Sequence, residues 1–289
     1  MAAAVPFDMT STSSDSPSRA TARGPIQAEL VYARTTRQEP RYYMFEPPAG
    51  QERLVGDYGP HRVRIEDGRD AARAFSLDQH GFALVSHVTA LGDAYDDAAV
   101  RAVYYPEVER LVRGASGARR VVVFDHNVRS GPRAKAGQRG IAAPVRLVHN
   151  DYTVESARRR LQQLLPTEAD ALAEGRYAFI NVWRPLFGPI VDTPLAVCDA
   201  SSIAPADLLK IDLIYPDRVG ENYHFAPSDR HRWYYFSGMQ ANEALLLKCM
   251  DSPAEGRARF TAHTAFDDLR APSDTRPRES IEVRTMAFY

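Results

Sequence analysis

The chain has 289 residues, and its 36 Lys and Arg residues nearly balance its 37 Asp and Glu residues, so its formal net charge at pH 7 is −1. This balance argues against a nucleic-acid-binding protein, which usually carries a basic excess, and against a polybasic protein of the membrane surface. Hydrophobic residues make up 44% of the chain, as in an ordinary globular domain, and no run approaches the ~20 apolar residues that span a bilayer.

The N-terminal segment differs from the rest of the chain. Its start, MAAAVPF, lacks the basic and apolar regions of a signal peptide, and residues 8–25 are rich in Ser, Thr, Pro and Arg, which is typical of disorder. We therefore predict a disordered tail over residues 1–25 and one domain over residues 26–289. The only cysteines, Cys198 and Cys249, are too few for a disulfide framework, and we expect reduced thiols in a cytoplasmic protein.

The first part of the domain mixes strands with one helix. Alternation of apolar and polar residues predicts strands over 26–34, 61–69 and the end of 77–88. Apolar residues that recur every three or four positions predict a helix over 96–117, with Gly114 and Gly117 as its stop signals.

From residue 118 onward, short β-branched and aromatic segments bounded by Gly, Pro, Asp or Asn predict a series of strands. One helical pattern interrupts the series, over 154–175, and Gly175 fits its C-terminal stop. The segment GENYHFAPSD, residues 220–229, is loop-like, so we expect His224 to be a surface or loop histidine. The pattern as a whole predicts a mainly β sandwich or barrel core with a mixed α/β region packed outside it.

One histidine of the eight is followed two residues later by a carboxylate, in His149-Asn150-Asp151. Side chains at i and i+2 of a strand point to the same face, so one imidazole and one carboxylate can bind a single ion together. A second histidine would complete the two-histidine, one-carboxylate triad of non-heme Fe(II) oxygenases. The pair alone is a weak signal, because a chain with eight histidines is expected to contain about one such match by chance at ordinary carboxylate frequency.

The third ligand must come from elsewhere in the chain. His126 precedes the pair, which is the wrong order for the usual triad. His231 begins an apolar strand, and a structural histidine packed in the core explains it as well as a metal ligand does. His263 lies in the strand-like segment RFTAHTAF near the C-terminus. We favour His263 because of the strand that follows it.

That following strand contains Arg278-Glu279-Ser280, the only Arg-x-Ser of the chain. Arg278 and Ser280 share a face, and a guanidinium binds a carboxylate through two hydrogen bonds while a neighbouring hydroxyl adds a third. Such a pair would hold the distal carboxylate of 2-oxoglutarate, whose other end chelates iron. The informative feature is the order of the motifs, in which a distant histidine separates the His-x-Asp pair from the Arg-x-Ser pair.

This order resembles the signature of the Fe(II)/2-oxoglutarate oxygenases and the related isopenicillin N synthase group. The match extends over about residues 26–289 and is similar to one subfamily of AsaB-like, TqaL-type and CmcJ-like enzymes. The segments that carry it are VHNDYTVESARRRL, NVWRPLFGPIVDTPLAVCDASS, HRWYYFSGM, LLLKCMDS, FTAHTAF and RESIEVR. The resemblance implies a double-stranded β-helix, that is, a jelly-roll or cupin-like core with flanking α-helices.

The resemblance also implies site residues and cofactors. It places Fe(II) at His149, Asp151 and His263, and it assigns Arg278, with Ser280, to the 2-oxoglutarate carboxylate. The interval of 112 residues between Asp151 and His263 is longer than in many members of the wider superfamily, which leaves His231 as an alternative third ligand.

The implied reaction oxidises a C–H bond of a small substrate of secondary metabolism, by hydroxylation, desaturation or aziridine-type ring closure. The TqaL likeness favours an amino acid such as valine, and we assign its carboxylate to Arg184, with Asn181 as a second substrate residue. A zinc hydrolase that uses the same His/Asp/His set, and an inactive accessory protein of a two-component oxygenase, are the alternatives. The expected partners are the substrate and dioxygen, with no nucleic acid and no membrane, and a homodimer stays open.

Overall fold

The structure is a computed structural model that describes residues 23–34, 40–253 and 256–289. The predicted tail, residues 1–25, lies outside the described residues except for its last three positions. The described chain is mainly β, which confirms the predicted fold class. Its strands, numbered in chain order, are β1 (Ile26–Arg34), β2 (Arg41–Tyr43), β3 (Leu54–Val55), β4 (Asp57–Asp67), β5 (Phe82–Ser86), β6 (Arg120–Ser130), β7 (Ile141–Ala142), β8 (His149–Asn150), β9 (Tyr177–Pro185), β10 (Leu195–Cys198), β11 (Leu208–Ile214), β12 (Val219–Phe225), β13 (Trp233–Tyr235), β14 (Glu243–Asp251), β15 (His263–Ala265) and β16 (Glu279–Phe288).

These strands form two sheets within the described residues. The larger sheet has the order β1-β4-β13-β10-β15-β8-β12-β11-β2-β3, and the smaller has the order β5-β14-β9-β16-β6-β7. Neighbours in each sheet come from distant parts of the chain, as in a jelly roll. The short strand β8 therefore lies between β15 and β12, which brings two histidine-containing strands beside it.

The helix predicted over 96–117 is confirmed in extent. It begins as α1 (Asp97–Ala99), passes through a π-helical turn over Val100–Tyr104 and ends as α2 (Tyr105–Ser116). The Asp96 side chain accepts hydrogen bonds from two backbone N–H groups of the first turn, and Gly117, with φ of 73°, ends the helix in the left-handed conformation that glycine favours. Gly114, the other predicted stop, lies inside the helix.

The single helix predicted over 154–175 is wrong. Two helices occupy this stretch, α4 (Val154–Leu164) and α5 (Ala169–Glu174), after the short α3 (Gly131–Lys135) earlier in the chain. Pro166 causes the break, because proline disfavours helical backbone at the preceding residue, and Leu165 has φ of −132° and ψ of 58°. Helix α4 begins at a capping box in which the Thr153 and Ser156 side chains bond to each other's backbone N–H.

The main core lies between the two sheets and decides which residues can reach the site. Phe179 and Trp183 of β9 pack there with Val197 of the larger sheet. Ile180 and Val182, on the other face of β9, pack in a second cluster that includes residues of α2. Because side chains of a strand alternate between faces, the odd-numbered residues of this part of β9 point between the sheets and the even-numbered ones point away.

Candidate active site

The structure brings His149, Asp151 and His263 together. His149 on β8 is directly paired with His263 on β15, and directly paired residues of antiparallel strands project to the same face. Asp151 follows β8 immediately. Each of the three residues offers one ligand atom, and these atoms lie within 4.8 Å of one another, with the two imidazole centroids 4.4 Å apart. Two imidazoles and one carboxylate form the donor set of a mononuclear Fe(II) site.

The hydrogen bonds of both imidazoles leave Nε2 free to bind a metal. His149 Nδ1 lies 2.8 Å from the Leu147 carbonyl oxygen, and His263 Nδ1 lies 3.0 Å from the Thr261 carbonyl oxygen. A carbonyl oxygen only accepts, so each Nδ1 carries the proton and donates, which fixes the ring as metal-ligating histidines require. Burial, with the nearby His263, lowers the pKa of His149 to about 3, so this imidazole is neutral at physiological pH.

The carboxylate of Asp151 is held by one of its two oxygens. Its Oδ2 accepts hydrogen bonds from Asn181 Nδ2 at 2.8 Å and Arg284 Nε at 3.2 Å, while its Oδ1 lies 3.6 Å from His149 Nε2. Burial opposes ionisation, but the Arg284 guanidinium and the hydrogen bond from the Asn181 amide outweigh it and lower the pKa of Asp151. The site therefore presents an ionised carboxylate with Oδ1 directed at the metal position.

Asn181 contacts the Asp151 carboxylate in this structure, and its predicted substrate role stays a prediction. It points between the sheets and is fully buried, and its Nδ2 donates both to Asp151 and, at 2.8 Å, to Glu282 Oε1. Sequence reasoning missed Arg284, which also donates to Asp125 Oδ2 at 3.0 Å. A signal for it existed, because the polar residues at 278, 280, 282 and 284 alternate with buried Ile281 and Val283 along β16.

Arg278 and Ser280 lie on the same face of this strand and carry unpartnered polar atoms. Arg278 is 2% exposed and its Nη1 donates to the Thr193 carbonyl at 2.6 Å, while its guanidinium lies 5.4 Å from the centroid of the Trp183 ring. Its Nε and the Ser280 Oγ are buried without a hydrogen-bond partner. Buried donors in a protein are almost always satisfied, so the pair fits an absent acceptor such as the carboxylate of 2-oxoglutarate.

Arg184 lies away from the metal ligands. As an even-numbered residue of β9 it points to the outer face of the smaller sheet, where its Nη2 contacts His87 and donates to the His87 carbonyl at 2.7 Å. Its guanidinium also lies 5.2 Å from the Tyr104 ring centroid. This placement does not fit the prediction that Arg184 binds the substrate beside the metal.

His231, the alternative third ligand, lies outside the metal cluster. Its Nε2 is 3.2 Å from Asp207 Oδ2 and its Nδ1 is 3.0 Å from the Tyr32 hydroxyl, so both ring nitrogens are engaged elsewhere. The structure thus groups His263, and not His231, with His149 and Asp151.

His224 is not the surface or loop residue that we predicted. It lies on β12, is 3% exposed and is directly paired with His149. Its Nδ1 is 3.0 Å from the Tyr58 hydroxyl, and burial lowers its pKa to about 4. Three histidines, at 224, 149 and 263, therefore lie side by side across three strands, and the first of them lines the cavity described next.

A cavity of about 790 Å³ opens onto the metal ligands. His149, Asp151, His224 and Arg284 line its inner part. The other lining residues include apolar and aromatic side chains, five arginines and two acids: Tyr42, Met44, Phe124, Val145, Leu213, Tyr215, Arg129, Arg146, Arg159, Arg160, Arg218, Asp125 and Glu221. The volume falls in the range of about 300–1,000 Å³ that is usual for small-molecule sites.

No helix in the described part of the chain combines the length and apolarity needed to cross a bilayer.

Comparisons with known proteins agree with the geometry. A family model described as an oxidoreductase/YMDC permease-like domain matches residues 30–288. The chain is 35% identical over 259 residues to the Fe(II)/2-oxoglutarate-dependent dioxygenase nvfI of Aspergillus novofumigatus, covering 87% of this chain and 91% of the relative. It is 36% identical over 255 residues to the hydroxylase/desaturase efuI of Hormonema carpetanum, covering 80% of this chain and 85% of the relative.

A solved structure of the iron and alpha-ketoglutarate-dependent endoperoxidase NvfI superposes with a TM-score of 0.84. The two sequences are 31% identical, and the match covers 92% of this chain and 99% of the solved one.

Proposed function

This chain belongs to the Fe(II)/2-oxoglutarate-dependent dioxygenases, and from that premise we propose that it oxidises a C–H bond of an organic substrate at a ferrous ion held by His149, Asp151 and His263. The observation that carries the proposal is the convergence of these three side chains with both imidazole Nε2 atoms free. With 2-oxoglutarate and dioxygen, an iron centre of this kind oxidises a C–H bond and releases succinate and CO2.

Arg278 and Ser280 would bind the distal carboxylate of 2-oxoglutarate. Support comes from their unpartnered Nε and Oγ atoms and from the burial of the guanidinium against Trp183. A buried cation without a counter-ion is costly, so a bound carboxylate stabilises this part of the site.

The protein's own contributions are orientation and exclusion of water. The Leu147 and Thr261 carbonyls fix the imidazoles, and Asn181 with Arg284 holds the carboxylate ligand. The cavity walls would hold the substrate so that one C–H bond faces the iron.

The cavity favours a substrate larger than the amino acid that we predicted. At about 790 Å³ it is of the size that accommodates a drug-sized molecule, and valine would leave most of it filled with water. We propose a substrate with an apolar ring or chain, which the aromatic side chains Tyr42, Phe124 and Tyr215 would contact.

The dioxygenase is favoured over both alternatives. A zinc hydrolase would give no reason for two unpartnered donors on Arg278 and Ser280. An inactive accessory protein would not need two imidazoles with free Nε2 atoms beside a carboxylate with a free oxygen.

We also propose that residues 26–289 form a single catalytic domain that works in the cytoplasm. The larger sheet begins with β1 and the smaller sheet contains β16, so each end of the described chain is part of the fold. Both cysteines are buried free thiols, which suits a reducing compartment.

A succinate-release assay tests the function. Full-length protein with Fe(II), 2-oxoglutarate, dioxygen and a panel of apolar metabolites should form succinate, and His149→Ala or Asp151→Ala should abolish its formation. His126→Gln, at a histidine outside the metal cluster, is the control and should keep the activity. Succinate formation that persists in both ligand variants would refute the site.

A further inference from the structure

Two arginines on the inner face of the smaller sheet have a guanidinium that bonds to no carboxylate within the described part of the chain. Ser280 on β16 is directly paired with Arg129 on β6, so their side chains project to the same face. Arg278, two residues before Ser280, projects to that face as well. The strand pairing therefore places Ser280 beside Arg129 across the sheet and beside Arg278 along its own strand.

Neither guanidinium takes part in an ion pair among the described residues. Arg278 Nη1 donates to the Thr193 carbonyl at 2.6 Å, and Arg129 Nη1 donates to the Ala143 carbonyl at 2.9 Å. Both partners are neutral, and Arg278 Nε has no partner at all.

The nearby acids are engaged with other groups. Glu282 accepts from Asn181 at 2.8 Å and lies 4.0 Å from Arg284, and Asp192 accepts from the backbone N–H of Arg278 at 3.1 Å.

The positive charges of the two arginines repel each other. Burial lowers the pKa of Arg278 to about 9, and the charge of Arg129 is the next cause; burial also lowers the pKa of Arg129. Partly desolvated like charges are unfavourable unless an anion lies between them. A carboxylate bound between the two guanidiniums would therefore reduce their repulsion.

We infer that Arg129 and Arg278 bind the same carboxylate, the one at the end of 2-oxoglutarate remote from the metal, and that Ser280 Oγ donates to it as well. The inference rests on the proposed function and adds a second cation to the Arg-x-Ser pair. A carboxylate has about four acceptor positions, enough for two guanidiniums and one hydroxyl.

The two arginines would have different positions around the carboxylate. Arg129 lines the cavity, whereas Arg278 is buried behind it. The cosubstrate, which enters through the cavity, would meet Arg129 first and would be enclosed by Arg278 and Trp183. The pair also makes the site selective for 2-oxo acids that carry a second carboxylate.

Anaerobic titrations of the Fe(II)-loaded full-length protein test the inference. The probes are 2-oxoglutarate and 2-oxopentanoate, which has the same chain length without the distal carboxylate, and the readout is the charge-transfer absorption of the iron–2-oxo acid chelate. Arg129→Gln should weaken 2-oxoglutarate binding about tenfold or more, since a charge-assisted hydrogen bond is lost, and should leave 2-oxopentanoate binding within about twofold. Arg129→Lys should restore part of the affinity.

A matched control and three outcomes make the test decisive. Arg120→Gln, on the same strand and paired with Glu168 at the surface, should change neither affinity, and circular dichroism should confirm that every variant is folded.

Unchanged 2-oxoglutarate binding in Arg129→Gln, with weakened binding in Arg278→Gln, would overturn the inference and leave the proposed function standing. Equal weakening of both probes would overturn it too, because the loss would not concern the distal carboxylate. Failure of the unmodified protein to bind either probe would contradict the proposed function itself.

Discussion

Replacing Asn181 should lower the affinity for Fe(II), although the substitution leaves all three proposed metal ligands in place. Asn181→Leu keeps the size of the side chain and removes the two hydrogen bonds that Nδ2 donates, each 2.8 Å long, to Asp151 Oδ2 and Glu282 Oε1. Asp151 then keeps Arg284 as its one donor on that oxygen. The carboxylate loses part of its orientation, and Glu282 loses the amide that it accepts from.

The magnitude follows from the burial of these groups. A buried acceptor left without its donor costs about 1–3 kcal/mol, so two of them should lower the free energy of unfolding of the metal-free protein by roughly 2–5 kcal/mol, with Arg284 compensating part of the loss. Loss of a group that orients a metal ligand typically lowers metal affinity by about 10–100-fold. We expect both effects in Asn181→Leu.

Two measurements and one control separate these effects. Fe(II) affinity is measured anaerobically by competition with a chelator, and the free energy of unfolding by urea titration of the metal-free protein. Thr285→Val removes one buried hydrogen bond, 2.7 Å long, to the Ile180 carbonyl on the other face of the same sheet. It should lower stability by about 1 kcal/mol and leave Fe(II) affinity unchanged. An Asn181→Leu protein whose Fe(II) affinity stays within twofold would refute the positioning role.

Two further predictions concern buried charges away from the metal. Arg184→Met should leave succinate formation and KM for the substrate unchanged, since Arg184 lies on the outer face of the sheet. The free energy of unfolding should change by no more than about 1 kcal/mol, because two of the three guanidinium nitrogens have no hydrogen-bond partner among the described residues. A raised KM in steady-state kinetics would support a substrate role for Arg184. Lys248→Met should lower the free energy of unfolding by about 1–3 kcal/mol, because Lys248 Nζ lies 2.7 Å from the fully buried Asp251 carboxylate, which then keeps Arg176 as its cationic partner. A urea titration showing no loss of stability would contradict this.

The sequence predicted the metal ligands because their motifs have a fixed local geometry. His149 and Asp151 are two positions apart, at the start of β8 and immediately after it, so the local chain alone is enough to bring both side chains together. The choice of His263 over His231 depended on the Arg-x-Ser that follows it, and a pairing between β8 and β15 supports that choice in the structure. The sequence did not indicate the proposed role of Arg129, since this residue lies about 150 positions before Ser280 and only the register of β6 with β16 places the two side by side.

The errors have equally specific causes. All nine residues of β9 are buried, so no alternation of polarity indicates which face meets the other sheet, and Arg184 and Asn181 were both assigned to the site although they lie on opposite faces. His224 was missed because Gly, Asn and Pro around it are typical of loops, whereas pairing with β8 and β11 makes the segment a strand. The break at Pro166 was readable from the sequence, and the apolar periodicity on both sides of it concealed the end of α4.

Anaerobic metal analysis of single variants tests the central claim most directly. The account predicts one Fe(II) per chain in the unmodified protein and in His231→Gln, whose histidine is bonded to Asp207 and Tyr32, and loss of bound Fe(II) in a folded His263→Ala protein. Retention of one Fe(II) per chain by His263→Ala, or its loss from a folded His231→Gln protein, would contradict the account.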